Sequence, residues 1–126
     1  MSHITKVKTQ LKDEQILRQA LKKIGYHIQK GGIMAGGYIS EKGKSVEIMA
    51  TKKDCLIGFK RSANHYYEIL ADWQVQKKIR TEIIHEIFQT YSREKVIQMA
   101  RLKGYSVIQN KTIQNDQIEI ILRKVA

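Results

Sequence analysis

The stretch that most constrains this chain runs from Leu56 to Trp73, its densest run of aromatic and apolar residues. Cys55 to Phe59 and His65 to Leu70 are apolar and aromatic runs, and Ser62-Ala63-Asn64 between them are turn formers. That arrangement reads as two strands of a hairpin. Upstream, Ser45 to Thr51 alternates, with Val46, Ile48 and Ala50 on one face and Ser45, Glu47, Met49 and Thr51 on the other. A period of two with one apolar face is a half-buried strand. Three strands joined by short polar turns predict an antiparallel meander.

Helical patterns flank it. Ile16, Leu17, Ala20, Leu21 and Ile24 form one apolar stripe behind Asp13, an N-cap candidate, and Gly25 supplies a stop. Ile79, Ile83, Ile84, Ile87, Phe88 and Tyr91 make a stronger stripe. Asp72 reads as its cap, and Ser92 as a break before a further helix carrying Val96, Ile97 and Ala100. Ile4 to Gln10 alternates with a thin apolar face and two lysines, the pattern of an edge strand. The fold class expected is α+β: one domain over residues 1–126, a mostly antiparallel meandering sheet with helices from 13–24 and about 75–103 packed on one face, and a C-terminal β-hairpin. Leu21 to Ile28 echoes Ala100 to Val107, both helix, Gly-Tyr, strand. Either a duplication or two instances of a common junction accounts for the echo.

Charge narrows the partners. The 23 Lys and Arg residues against 12 Asp and Glu give a net charge of +11. Such a chain attracts polyanions at low salt, whether nucleic acid, anionic lipid or acidic protein. The cations are spread as pairs such as Lys22-Lys23 and Lys60-Arg61, which suits a solvated surface. The single cysteine, Cys55, excludes an intrachain disulfide, and opening an apolar run it reads as a small buried hydrophobe. The N-terminus lacks a signal-peptide pattern, and no run approaches the ~20 apolar residues of a membrane span, so a soluble protein without membrane insertion is expected.

Catalytic chemistry finds little support. The histidines His3, His27, His65 and His85 lack zinc-ligand spacing, so no metal and no cofactor is expected. The Gly31-Gly32 and Gly36-Gly37 pairs have neither the spacing nor the following helix of a phosphate loop. Glu68 and Asp72 could share acid–base work if buried together; otherwise Asp72 caps a helix and Glu68 faces solvent. The remaining candidate site is a basic-aromatic face made by Phe59, Lys60, Arg61, His65, Tyr66, Tyr67, Asp72 and Trp73. Aromatic side chains beside cations suit a protein contact surface or a stacking platform for single-stranded nucleic acid.

The opening Met1-Ser2-His3, Lys6-x-Lys8-Thr9, Ile57-Gly58-Phe59, Tyr67-Glu68, Ala71-Asp72-Trp73, Tyr91 and Gly104-Tyr105 with its hairpin carry a resemblance. The chain resembles the hypothetical chloroplast reading frame thirty-five family, a domain of unknown function found in red-algal and related plastid genomes and in cyanobacteria. It departs from that pattern where Lys124, not a tryptophan, follows Arg123, and across Ile33 to Gly43. The resemblance implies a plastid stroma or cyanobacterial cytoplasm, no transit peptide and no assigned activity. The expectation is a small non-catalytic binding or accessory protein with a protein partner, the alternative being a nucleic-acid-binding protein that uses the same face.

Overall fold

The computed structural model describes residues 4–34, 44–53, 55–72, 77–112 and 118–124. The elements in order are β1 (Ile4–Lys8), α1 (Glu14–Ile24), β2 (His27–Met34), β3 (Lys44–Lys52), β4 (Cys55–Arg61), β5 (Tyr67–Asp72), α2 (Lys77–Leu102), β6 (Tyr105–Thr112) and β7 (Ile118–Lys124). The expected α+β class holds. Strands β1 to β5 form one antiparallel sheet in the order β1-β5-β4-β3-β2, and β6 and β7 form a separate antiparallel pair. β1 is an edge strand, as its thin apolar face suggests.

Alternation in the strands becomes a layered core through register. Ile48 lies opposite Phe59, Phe59 opposite Ile69, and Ile69 opposite Val7. Directly opposed residues of antiparallel strands share a face, so these four form one apolar row across four strands. The next row on that face joins Ile28, Ala50, Ile57 and Ala71. Against it pack Ile16, Leu17, Ala20 and Leu21 of α1 and Ile87 and Tyr91 of α2. Phe59, Ile48, Ile57 and Ile69 expose nothing. Fully burying one such side chain contributes roughly 1.5–3 kcal/mol. Val46, Leu70 and Met49 make a small second cluster, separate from this core. Gly58 stays in regular register between Met49 and Leu70, so β4 carries no bulge there.

Both ends of α1 are made by the residues the sequence nominates. Asp13 is extended, and its Oδ1 accepts the Ile16 N–H at 3.1 Å. At the other end Gly25 takes φ 108°, which lets its N–H reach the Lys22 carbonyl and the Tyr26 N–H reach the Leu21 carbonyl. Lys52 of β3 closes the junction: its Nζ donates to the Ile24 carbonyl at 2.9 Å and lies 5.6 Å from the Tyr26 ring centroid. Gly104, at φ 85°, makes the same kind of exit from α2. Each helix is thus followed by a left-handed glycine, a tyrosine and an antiparallel strand pair.

One expectation is corrected. α2 is continuous through Ser92. Serine costs only a few tenths of a kcal/mol in a helix interior, and no Gly or Pro interrupts residues 77–102. Asp72 is the last residue of β5, held opposite Ile4, and α2 is described from Lys77. Pairing with β1 extends the strand over the position that local sequence offers to a helix.

The α1–β2 junction yields two tests. Replacing Gly25 with Ala leaves an ordinary contact to Lys52 Cε at 3.6 Å, so the cost is conformational. A non-glycine residue in left-handed backbone costs about 1–2 kcal/mol, and the urea midpoint of Gly25→Ala should fall accordingly. Tyr26 is buried, and its phenol is pushed up to about 12 by that burial and by Cys55 and Glu86 nearby. Its folded value lies above the unfolded 10.0, so its contribution is complete below pH 10 and disappears as pH rises toward about 12. Stability measured by urea titration should therefore fall across that alkaline window, and fall less in Tyr26→Phe.

Candidate binding face

The β4–β5 connection is a tight polar turn. The Ser62 N–H donates to the Tyr66 carbonyl at 2.8 Å, and the His65 N–H to the Ser62 carbonyl at 2.9 Å. Asn64 Oδ1 accepts the Tyr66 N–H at 3.2 Å, and His65 sits at φ 72°. His65 therefore belongs to the turn and not to the returning strand, and it is exposed.

The candidate residues separate according to strand parity. Phe59 and Tyr67 are both fully buried among the core residues. Lys60, one residue from Phe59, is exposed on the other face and lies opposite Glu68. Arg61 stacks on Tyr67, 4.5 Å from the ring centroid, and its Nη2 donates to the phenol oxygen at 2.7 Å. Arg61 Nη1 also reaches the His65 carbonyl at 3.3 Å. Its guanidinium thus fastens the turn to the core. Burial raises the Tyr67 phenol, and the Arg61 hydrogen bond and charge pull in the opposite direction. Asp72 stands at the far end of β5 from the turn. Trp73 lies outside the described residues.

The turn instead meets residues the sequence reading did not select. Tyr66 is half-buried, and Lys12 Nζ lies 6.0 Å from its ring centroid. The Thr9 hydroxyl donates to the Tyr67 carbonyl, and the Tyr67 N–H donates to the Leu11 carbonyl at 2.7 Å. These bonds draw the β1–α1 connection against the turn. Tyr91 of α2 completes the arrangement: its hydroxyl accepts the Asp13 N–H at 2.9 Å and the Lys12 N–H at 3.2 Å. Between the three segments runs a groove of ≈ 690 Å³ that includes Lys8, Thr9, Asn64, Tyr66, Phe88 and Tyr91. A smaller adjoining groove of ≈ 390 Å³ adds Lys6 and Glu68, which pair at 3.7 Å. Lys8 and Lys12, both exposed, border this surface. Neither is near Phe59 in sequence, so local composition around the hairpin gave no signal for them.

The chemistry offered is attraction and stacking. Among the described residues no three His, Cys, Asp or Glu side chains converge as metal ligands. Glu68 faces a lysine. Cys55 is half-buried and its thiol is pushed up by that burial, which disfavours the reactive thiolate.

Comparison with known proteins adds a family. The family model described as a protein of unknown function, DUF1257, matches residues 20–121. No curated protein and no solved structure matches the chain.

The division of the aromatic residues is measurable. Phe59→Ala should cost about 3–5 kcal/mol in urea unfolding, as for buried aromatic truncations generally. Tyr66→Ala, which removes a half-buried ring at the groove, should cost less than about 2 kcal/mol.

Proposed function

We propose that this chain, which belongs to the DUF1257 family of proteins of unknown function, is a small non-catalytic binding protein that holds an acidic segment of a protein partner. The observation that carries the reading is the groove where the Tyr66 ring, the Tyr91 edge of α2 and the cations Lys8 and Lys12 meet. An aromatic ring beside exposed cations offers apolar contact and charge attraction in one place. Lys60 and His65 extend that surface along the hairpin, while Phe59, Arg61 and Tyr67 hold it in shape. The resemblance of the sequence to a plastid and cyanobacterial family supports a plastid stroma or cyanobacterial cytoplasm as the site of action.

A second reading is single-stranded nucleic acid on the same groove. It is favoured by Lys12 standing over Tyr66, since stacking rings beside cations serve sequence-tolerant binding. Salt separates the two. Each phosphate neutralised on a single strand contributes a slope of about −0.7 in log affinity against log salt. Fluorescence anisotropy with labelled single-stranded RNA and DNA should show weak binding that vanishes as salt rises. Crosslinking in cyanobacterial or plastid extract should capture a defined acidic protein, and Tyr66→Ala with Lys12→Glu should abolish capture in a chain that still unfolds cooperatively. Oligonucleotide binding that persists near physiological salt and distinguishes sequences would reverse the order of the two readings. Capture that ignores both substitutions would overturn the proposal.

A further inference from the structure

A second surface lies at the C-terminal end of α2, apart from the β4–β5 turn. The buried sheet core reaches Tyr91 along α2, and the helix also packs against the β6–β7 pair. Val96, Met99 and Leu102 recur at i, i+3 and i+6 along this half, 45%, 42% and 76% exposed. Three-residue spacing keeps them on neighbouring positions of one helical side. Leu102 is the most exposed large apolar side chain among the described residues, and it is the last residue of the helix. Ile108, Ile121 and Leu122 of the hairpin are exposed as well.

Cations surround this end. Arg101 and Lys103 flank Leu102 and are exposed. Register brings two more beside them: Lys124 lies opposite Tyr105, and Arg123 opposite Ser106, at the end of the hairpin joined to α2 by Lys103-Gly104. Both are exposed. No Asp or Glu occurs from residue 95 to 115 or from 120 to 126. The nearest acid on the helix, Glu94, is buried and paired with Lys23. Glu119 lies opposite Lys111, away from the junction with α2.

We propose that this end of the molecule, where the exposed Met99 and Leu102 of α2 meet the cations Arg101, Lys103, Arg123 and Lys124 at the helix–hairpin junction, docks peripherally on an anionic lipid surface. A second copy is a poor occupant, because it would face four like charges with no acid to meet them. A folded protein would need a pocket for a leucine that projects from a helix end. A bilayer interface needs none: it takes exposed apolar side chains to shallow depth while lysine and arginine stay among anionic headgroups. Tyr105, half-buried at the same junction, is of a residue type that favours that boundary. No described helix is long and apolar enough to cross a membrane, so the contact is superficial.

The test is cosedimentation of the full chain with vesicles of phosphatidylcholine alone, or with phosphatidylglycerol replacing about a third of the lipid, at about 100 mM salt. Binding should be at least about tenfold stronger on the anionic vesicles. Leu102→Asn should weaken it by about threefold or more, with an unchanged Tm. Arg123→Glu with Lys124→Glu should weaken it by about tenfold and flatten its salt dependence. Lys8→Glu with Lys12→Glu, at the other basic surface, should leave it within about twofold. Absent binding, or equal binding to both vesicles, overturns the proposal. So does anionic binding insensitive to Leu102→Asn, which would be diffuse attraction of a +11 chain, or binding lost only in the Lys8 and Lys12 pair.

Discussion

Everything in this fold depends on the row of side chains that runs from Val7 through Ile69 and Phe59 to Ile48. It closes against Ile16, Leu17 and Leu21 on α1 and Ile87 on α2, which are buried almost completely. The row exists only if four strands pair in one register. A slip of one residue would turn Phe59 outward and bring Lys60 into the core, an exchange no apolar interior tolerates. Hydrophobic burial therefore does more than stabilise the sheet; it selects the pairing that decides which residues reach solvent.

The groove at the β4–β5 turn is a consequence of that selection. With Phe59 and Tyr67 committed to the interior, Tyr66 is left at the boundary. Hydrogen bonds from Thr9 and to Leu11 bring the β1–α1 connection beside it, and the Tyr91 hydroxyl holds the start of α1 through two backbone N–H groups. Lys95 adds a contact of 3.4 Å to Asp13 Oδ2, and Lys23 pairs with Glu94, so the two helices are tied at several places. A surface assembled from three segments on this support has its rings and cations placed in advance, which reduces the ordering cost of binding.

The C-terminal region follows different physics. An isolated two-stranded pair is marginal in water, so β6 and β7 rely on the second half of α2. Ile97 and Ala100 of α2 are buried, while Met99, Leu102 and Ile108 stay in solvent. Apolar side chains left in solvent beside Arg101, Lys103, Arg123 and Lys124 make a surface with its own preferences, separate from those of the groove.

Several features could be read from the chain because their causes are local. Asp13 and Gly25 mark the ends of α1 by hydrogen bonding and backbone geometry that involve neighbours a few residues away. The alternation of Ser45 to Thr51 and the stripe from Ile83 to Tyr91 likewise set strand and helix by period alone, and with them the α+β class. Other features needed the folded molecule. Asp72 carries a good capping side chain, yet pairing with Ile4 holds it in β5. Ser92 carries another, yet an uninterrupted run of helix formers takes it through. The basic-aromatic residues stood together in sequence, but strand parity buried Phe59 and Tyr67 and register brought Lys8, Lys12 and Tyr91 to Tyr66 from other segments. Sequence alone determined the elements, since period, caps and turns act over a few residues. Only the tertiary structure decided the surfaces, because which side chains meet depends on contacts between residues up to 82 positions apart.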